Sequence, residues 1–150
     1  MQLTQKETEL LKDLKSQEKL CVEKYNNHST AAIDPQLKNL FSQIAKIEQQ
    51  HYDTIVKIEN GEAPTLGGGS QSQLSFSSTY SMGETEDKKN DSFLCSDLLT
   101  MEKHASHLYD TCIFEFKQET LRNTLNQIQK EEQNHGKMIY DYMSANSMYA

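Results

Sequence analysis

The 150-residue chain sets 22 aspartates and glutamates against 15 lysines and arginines, a formal charge of −7. That balance argues against a nucleic-acid backbone as partner, because such binding rests on neutralising phosphates, and no window approaches the roughly 20 apolar residues of a membrane span. Two prolines, six glycines, no tryptophan and recurring Glu, Gln, Lys and Leu predict one all-helical domain. Cys21, Cys95 and Cys112 are odd in number, widely spaced and without a CxxC pair, so they read as free, mostly buried thiols rather than a disulfide framework or zinc ribbon. The N-terminal MQLTQKETELL is polar, which predicts synthesis in the cytoplasm without a secretory signal.

Thr4 followed by Glu7 has the form of a capping box and opens a first helix, expected to reach about Asn27. Asp34-Pro35 supplies an N-cap and a first-turn proline for a second helix, which Asn60-Gly61 ends. Residues 62–90 are rich in Gly, Ser and other polar types, and read as a flexible crossover linker. Its Tyr80 and serines could be cross-linked or pack on neighbours; a disordered spacer is the simpler expectation. A third helix is predicted from near Asp91-Ser92 to near Lys117, and a fourth from about Glu119 to Met143. Two hairpins, about 4–59 and 92–144, joined by one long crossover, predict a ferritin-like antiparallel four-helix bundle.

The second hairpin repeats the first. A shift of 84 residues carries Leu14 onto Leu98, Glu18-Lys19 onto Glu102-Lys103, Tyr25 onto Tyr109, Ile44 onto Ile128, and Glu48 and His51 onto Glu132 and His135. Such a repeat implies a pseudo-two-fold axis.

Each helix has one mostly apolar stripe at alternating spacings of three and four. The stripes run Leu11, Leu14, Glu18, Cys21, Tyr25, His28; Leu37, Phe41, Ile44, Glu48, His51, Ile55, Ile58; Cys95, Leu98, Glu102, Ala105, Tyr109, Cys112, Phe116; and Leu121, Leu125, Ile128, Glu132, His135, Ile139, Tyr142. Each is interrupted at mid-length by glutamate, and on the second and fourth a histidine follows one turn later. Buried carboxylates without partners are costly, and no lysine or arginine on the mid-helix stripes offsets them. Two divalent ions would balance four carboxylates, and oxygen ligands with imidazole nitrogen suit iron, manganese or zinc. One ExxH alone would be weak, being common on helices. Two, each 30 residues after a stripe glutamate, make Glu18, Glu48, His51, Glu102, Glu132 and His135 the candidate ligands.

One glutamate from each of two helices plus ExxH from each of the others resembles the di-iron and di-manganese carboxylate proteins of the ferritin-like superfamily, rubrerythrin and bacterioferritin among them. By that resemblance Glu18 and Glu102 would be terminal ligands, Glu48 and Glu132 the bridging pair, and His51 and His135 the nitrogen ligands. The segments MEKHASHLYDTCIFE and LRNTLNQIQKEEQNHGKMIYDYM resemble the spore coat protein F family. That resemblance implies a ferritin-like bundle assembled into the spore coat, with other coat proteins or a second copy as partners. Several members of that family lack a full ligand set, which this sequence has.

The expected function is therefore a spore coat-associated protein holding two metal ions, iron or manganese, that react with oxygen or hydrogen peroxide in a ferroxidase, peroxidase or catalase-like manner. The alternatives are a structural coat protein whose metal site is non-catalytic or vacant, and, ranked lower, an iron-storage subunit. Tyr25 and Tyr109 are candidates to hydrogen-bond a ligand carboxylate on a neighbouring helix, the plainer reading being core tyrosines. Cys21 lies one turn from Glu18 but repeats as Ala105, and reads as a small buried filler. His28, His104 and His107 have no repeat partners and are expected at the surface or the bundle ends.

Overall fold

Thr4 closes a complete capping box with Glu7, and Asp34 caps the next helix with Pro35 in its first turn, so the local signals start helices where the sequence places them. The computed structural model describes residues 2–66 and 74–149. It contains four α-helices: α1 (Gln5–Ala31), α2 (Pro35–Glu59), α3 (Glu86–Glu115) and α4 (Glu119–Ala145). No strand occurs among the described residues, and no helix among them is long and apolar enough to cross a membrane. α1 runs one turn past the expected Asn27. α2 stops at Asn60, where Gly61 takes φ 89°, a conformation that suits glycine.

α3 begins earlier than the sequence suggested. Its cap is Thr85, whose side chain accepts from the Lys88 amide, and Glu86 and Asp87 occupy the electropositive first turn. Asp91 is not a cap for its own helix. Its buried carboxylate accepts the Ile33 and Asp34 amides of the α1–α2 turn at 2.8 and 2.9 Å and the Tyr80 hydroxyl at 2.6 Å.

The crossover expectation also needs correction. Residues 67–73 lie outside the described residues, but 74–85 are not a free spacer. Leu74 and Phe76 pack on the apolar core, and the Phe76 ring meets Tyr142 edge-on at 5.5 Å. The Ser77 amide donates to Gln36 at 3.0 Å, and the Thr79 and Tyr80 amides donate to Asn146 Oδ1 at 2.8 and 3.0 Å. Two apolar side chains in a Ser-rich stretch are enough to dock it once backbone donors find side-chain acceptors.

The helices pack in pairs as a bundle, α1 beside α2 and α3, and α4 beside α3 and α2. Lys6 pairs with Glu115 and Lys24 with Asp97 across α1 and α3, while Lys15 pairs with Glu59 across α1 and α2. Every stripe residue named above is buried except His28, which is half-buried. The apolar core falls into two clusters. One gathers Cys21, Tyr25, Phe41, Ile44, Leu98 and Ile139; the other gathers Leu14, Ile55, Tyr109, Leu125 and Ile128. The glutamate–histidine level lies between them on every helix.

Candidate metal centre

The stripe geometry carries Glu18 from α1, Glu48 and His51 from α2, Glu102 from α3, and Glu132 and His135 from α4 to one level of the core. Glu102 is 2 % exposed and the other five are fully buried. Their donor atoms form two overlapping sets, Glu18–Glu48–His51–Glu132 and Glu48–Glu102–Glu132–His135, each with its ligand atoms within 4.8 Å of one another. Glu48 and Glu132 belong to both sets.

The histidines are arranged alike. His51 Nδ1 lies 2.9 Å from Glu132, 3.7 Å from Glu48 and 3.8 Å from Glu18. His135 Nδ1 lies 2.8 Å from Glu48, 3.3 Å from Glu102 and 3.9 Å from Glu132. The two imidazole rings are stacked, with centroids 6.0 Å apart. Despite its short approach to Glu48, His135 Nδ1 is not aligned for a hydrogen bond. Glu18 Oε2, both Glu48 oxygens, Glu102 Oε2, Glu132 Oε2 and both His135 nitrogens are buried without hydrogen-bond partners.

Such orphaned atoms each cost about 1–3 kcal/mol, and it is unusual for so many to share one level of a core. In each set the residues bring ligand atoms within 4.8 Å of one another. Three carboxylates and one imidazole around a common centre form a set that could hold an ion such as iron, manganese or zinc.

The phenols reach across between helices. Tyr25 on α1 donates its hydroxyl hydrogen to Glu102 on α3, and Tyr109 on α3 donates to Glu18 on α1. Each thereby fixes one carboxylate and leaves that carboxylate's second oxygen free.

Electrostatics within the protein-only cluster are strained. Burial, then the neighbouring Glu48 charge, raises Glu18 well above the usual carboxylate range. Burial, then Glu102, Glu48 and Glu18, does the same to Glu132. Burial also opposes ionisation of Glu48, but contacts to His135, His51 and Glu18 together outweigh it and hold Glu48 low. Burial disfavours both imidazolium ions; the adjacent carboxylates win, raising His51 strongly and His135 to about 9. Without cations from outside, protons do the balancing.

One participant was missed by the sequence reading. Glu131 Oε1 sits 2.7 Å from His51 Nε2, while Gln127 donates to its other oxygen at 3.1 Å. Glu131 lies off the apolar stripe, next to a stronger candidate. Its only sequence signal is a break in the repeat, where KEEQNH at 130–135 answers KIEQQH at 46–51 and Glu131 takes the place of Ile47.

The weaker candidates fall as follows. Cys21 is fully buried and accepts only a long contact from Gln17. Burial, with Glu48, Glu18 and Glu102 nearby, pushes its thiol far above the ordinary range, which disfavours a thiolate ligand. Cys95 and Cys112 are likewise buried and free. His28 pairs with Asp97 at 2.7 Å on the α1–α3 face, and His104 and His107 are exposed on α3.

Compared with known proteins, the chain matches the Coat F domain family over residues 90–150. That span holds α4 and nearly all of α3, and it suggests association with the spore coat. No curated protein and no solved structure matches the chain.

Proposed function

We propose that this chain is a ferritin-like, antiparallel four-helix protein of the spore coat that binds two divalent metal ions, iron or manganese, between its helices. The carrying observation is the pair of overlapping four-residue sets that share Glu48 and Glu132, with seven buried polar atoms lacking partners at that level. Glu18 and His51 would complete one set, and Glu102 and His135 the other. Iron or manganese held there would supply redox chemistry toward oxygen or hydrogen peroxide.

The chain's own contribution is positional. The Tyr25 and Tyr109 hydrogen bonds hold Glu102 and Glu18 in their rotamers. The apolar clusters above and below keep water out and strengthen charge interactions at the level between them. Glu18, Glu132, His51 and His135 carry the protons that metal binding would displace, so loading should release acid.

Elemental analysis of protein produced in iron- and manganese-supplemented media tests the reading. About two metals per chain are expected from the paired sets, with marked loss in Glu48→Ala or Glu132→Ala. Unchanged stoichiometry in both variants would remove the assignment of these two residues. A second reading is a structural coat protein whose metals only stabilise the fold. The Coat F match supports it, since the match concerns an assembly family rather than a reaction. Full occupancy and a raised melting temperature without reactivity toward oxygen or peroxide would favour that reading.

A further inference from the structure

The two faces of the bundle that flank the glutamate–histidine level are related by the repeat, yet the hollows on them differ in size. Between α3 and α4 lies a cleft of about 600 Å³ whose lining includes Leu99, Ser106, His107 and Gly136 and reaches Glu102 and Glu132. Between α1 and α2 the corresponding hollow is about 280 Å³, lined by Lys19, Val22, Glu23, Gln49 and Tyr52, and its lining includes none of the six candidate ligands. The repeat shift matches Gly136 with Tyr52 and Ser106 with Val22. The larger cleft therefore has small residues where the smaller one has large ones.

Gly136 has no backbone reason to be glycine. It lies inside α4 without a positive φ, where glycine is a poor helix former. A Cβ placed there would meet only Leu99 Cδ1, at 3.5 Å, an ordinary contact, so close helix packing does not demand glycine either. A long side chain at 136 would instead occupy the cleft. Glu102, one of its lining residues, is the one candidate ligand with any solvent exposure.

We propose that the α3–α4 cleft is the entrance through which a hydrated divalent cation reaches the buried carboxylates, and that Gly136 keeps it open while Tyr52 closes the matching face. This rests on the two-metal reading above. Carboxylates that line an open cleft, as Glu102 and Glu132 do, can replace a cation's waters one at a time; a face whose lining includes no ligand cannot.

Cobalt(II) uptake followed by stopped-flow absorbance separates the two claims. In Gly136→Tyr, entry should slow by about tenfold or more, because it would then require local opening of the bundle, while final cobalt stoichiometry stays that of the unaltered protein. Adding Tyr52→Gly to that variant should restore fast entry through the other face. An unchanged rate in folded Gly136→Tyr overturns the entrance, and a rate that stays slow in the double variant overturns the closing role given to Tyr52. If Gly136→Tyr does not fold, Ser106→Phe blocks the same cleft from the α3 wall and carries the same expectations. Failure of the unaltered protein to take up cobalt at any time overturns the metal reading itself, and the entrance with it.

Discussion

His51 and His135 occupy matching places in the repeat but have unlike surroundings. The outer nitrogen of His51 is bonded to Glu131; that of His135 is buried without a partner. A carboxylate behind an imidazole fixes the ring and raises its basicity as a ligand. Glu131→Ala is therefore expected to weaken one of two bound metal ions by about 10–100-fold and leave the other unchanged, read by competition against a chelator. Equal weakening of both would contradict this placement. The same residues set a pH dependence in the metal-free protein. His135 holds its proton to about 9 when folded, against 6.5 for the ordinary group. Stability from that proton is complete below about 6.5 and is lost as pH rises through 9, on the order of 3 kcal/mol for this group. His51, Glu18 and Glu132 are raised and act in the same sense, whereas the contribution of the depressed Glu48 is complete above about 4.5 and constant across this window. The metal-free melting temperature should fall between pH 6.5 and 9, and a rise would refute the charge balance described. At this scale the six clustered residues were legible because they break apolar stripes twice in register. Glu131 was not, because a half-buried carboxylate one position off a stripe looks like any solvated glutamate.

Helix ends were legible where capping chemistry is local, as at Thr4 with Glu7 and at Asp34-Pro35. The start of α3 was misplaced because Asp91-Ser92 has the composition of a cap while Asp91 serves other segments. Its carboxylate holds two amides of the α1–α2 turn and the hydroxyl of Tyr80, joining three parts of the chain that are distant in sequence. Asp91→Ala should cost about 3 kcal/mol, since it leaves buried amides without an acceptor; a denaturant midpoint within error of the unaltered protein would refute that role. The docking of residues 74–80 was hidden for a similar reason. Composition marks a Ser-rich segment as a spacer, and nothing local announces that Asn146 and Gln36 will accept its amides.

Across the whole molecule, the bundle is held by two apolar clusters with a charged layer between them. The all-helical class and the apolar stripes followed from periodicity, which is a property of each helix alone. The unequal clefts did not, because the size of a cleft depends on which small residues two helices bring to the same wall. Gly136 and Ser106 are ordinary until α3 and α4 are side by side.

The repeat itself has a consequence for how such asymmetry can exist. Each hairpin supplies three of the six donors, so a pair of identical hairpins would hold the same ligand set about a true two-fold axis. In that assembly, any change that sealed one face would seal both, and any carboxylate added behind one histidine would appear behind the other. Joining the halves in one polypeptide removes that constraint. A single chain can keep an open mouth on one side, a tyrosine lid on the other, and a carboxylate behind only one of its two imidazoles. The tandem form allows the two halves to divide labour where a symmetric dimer would have to duplicate it.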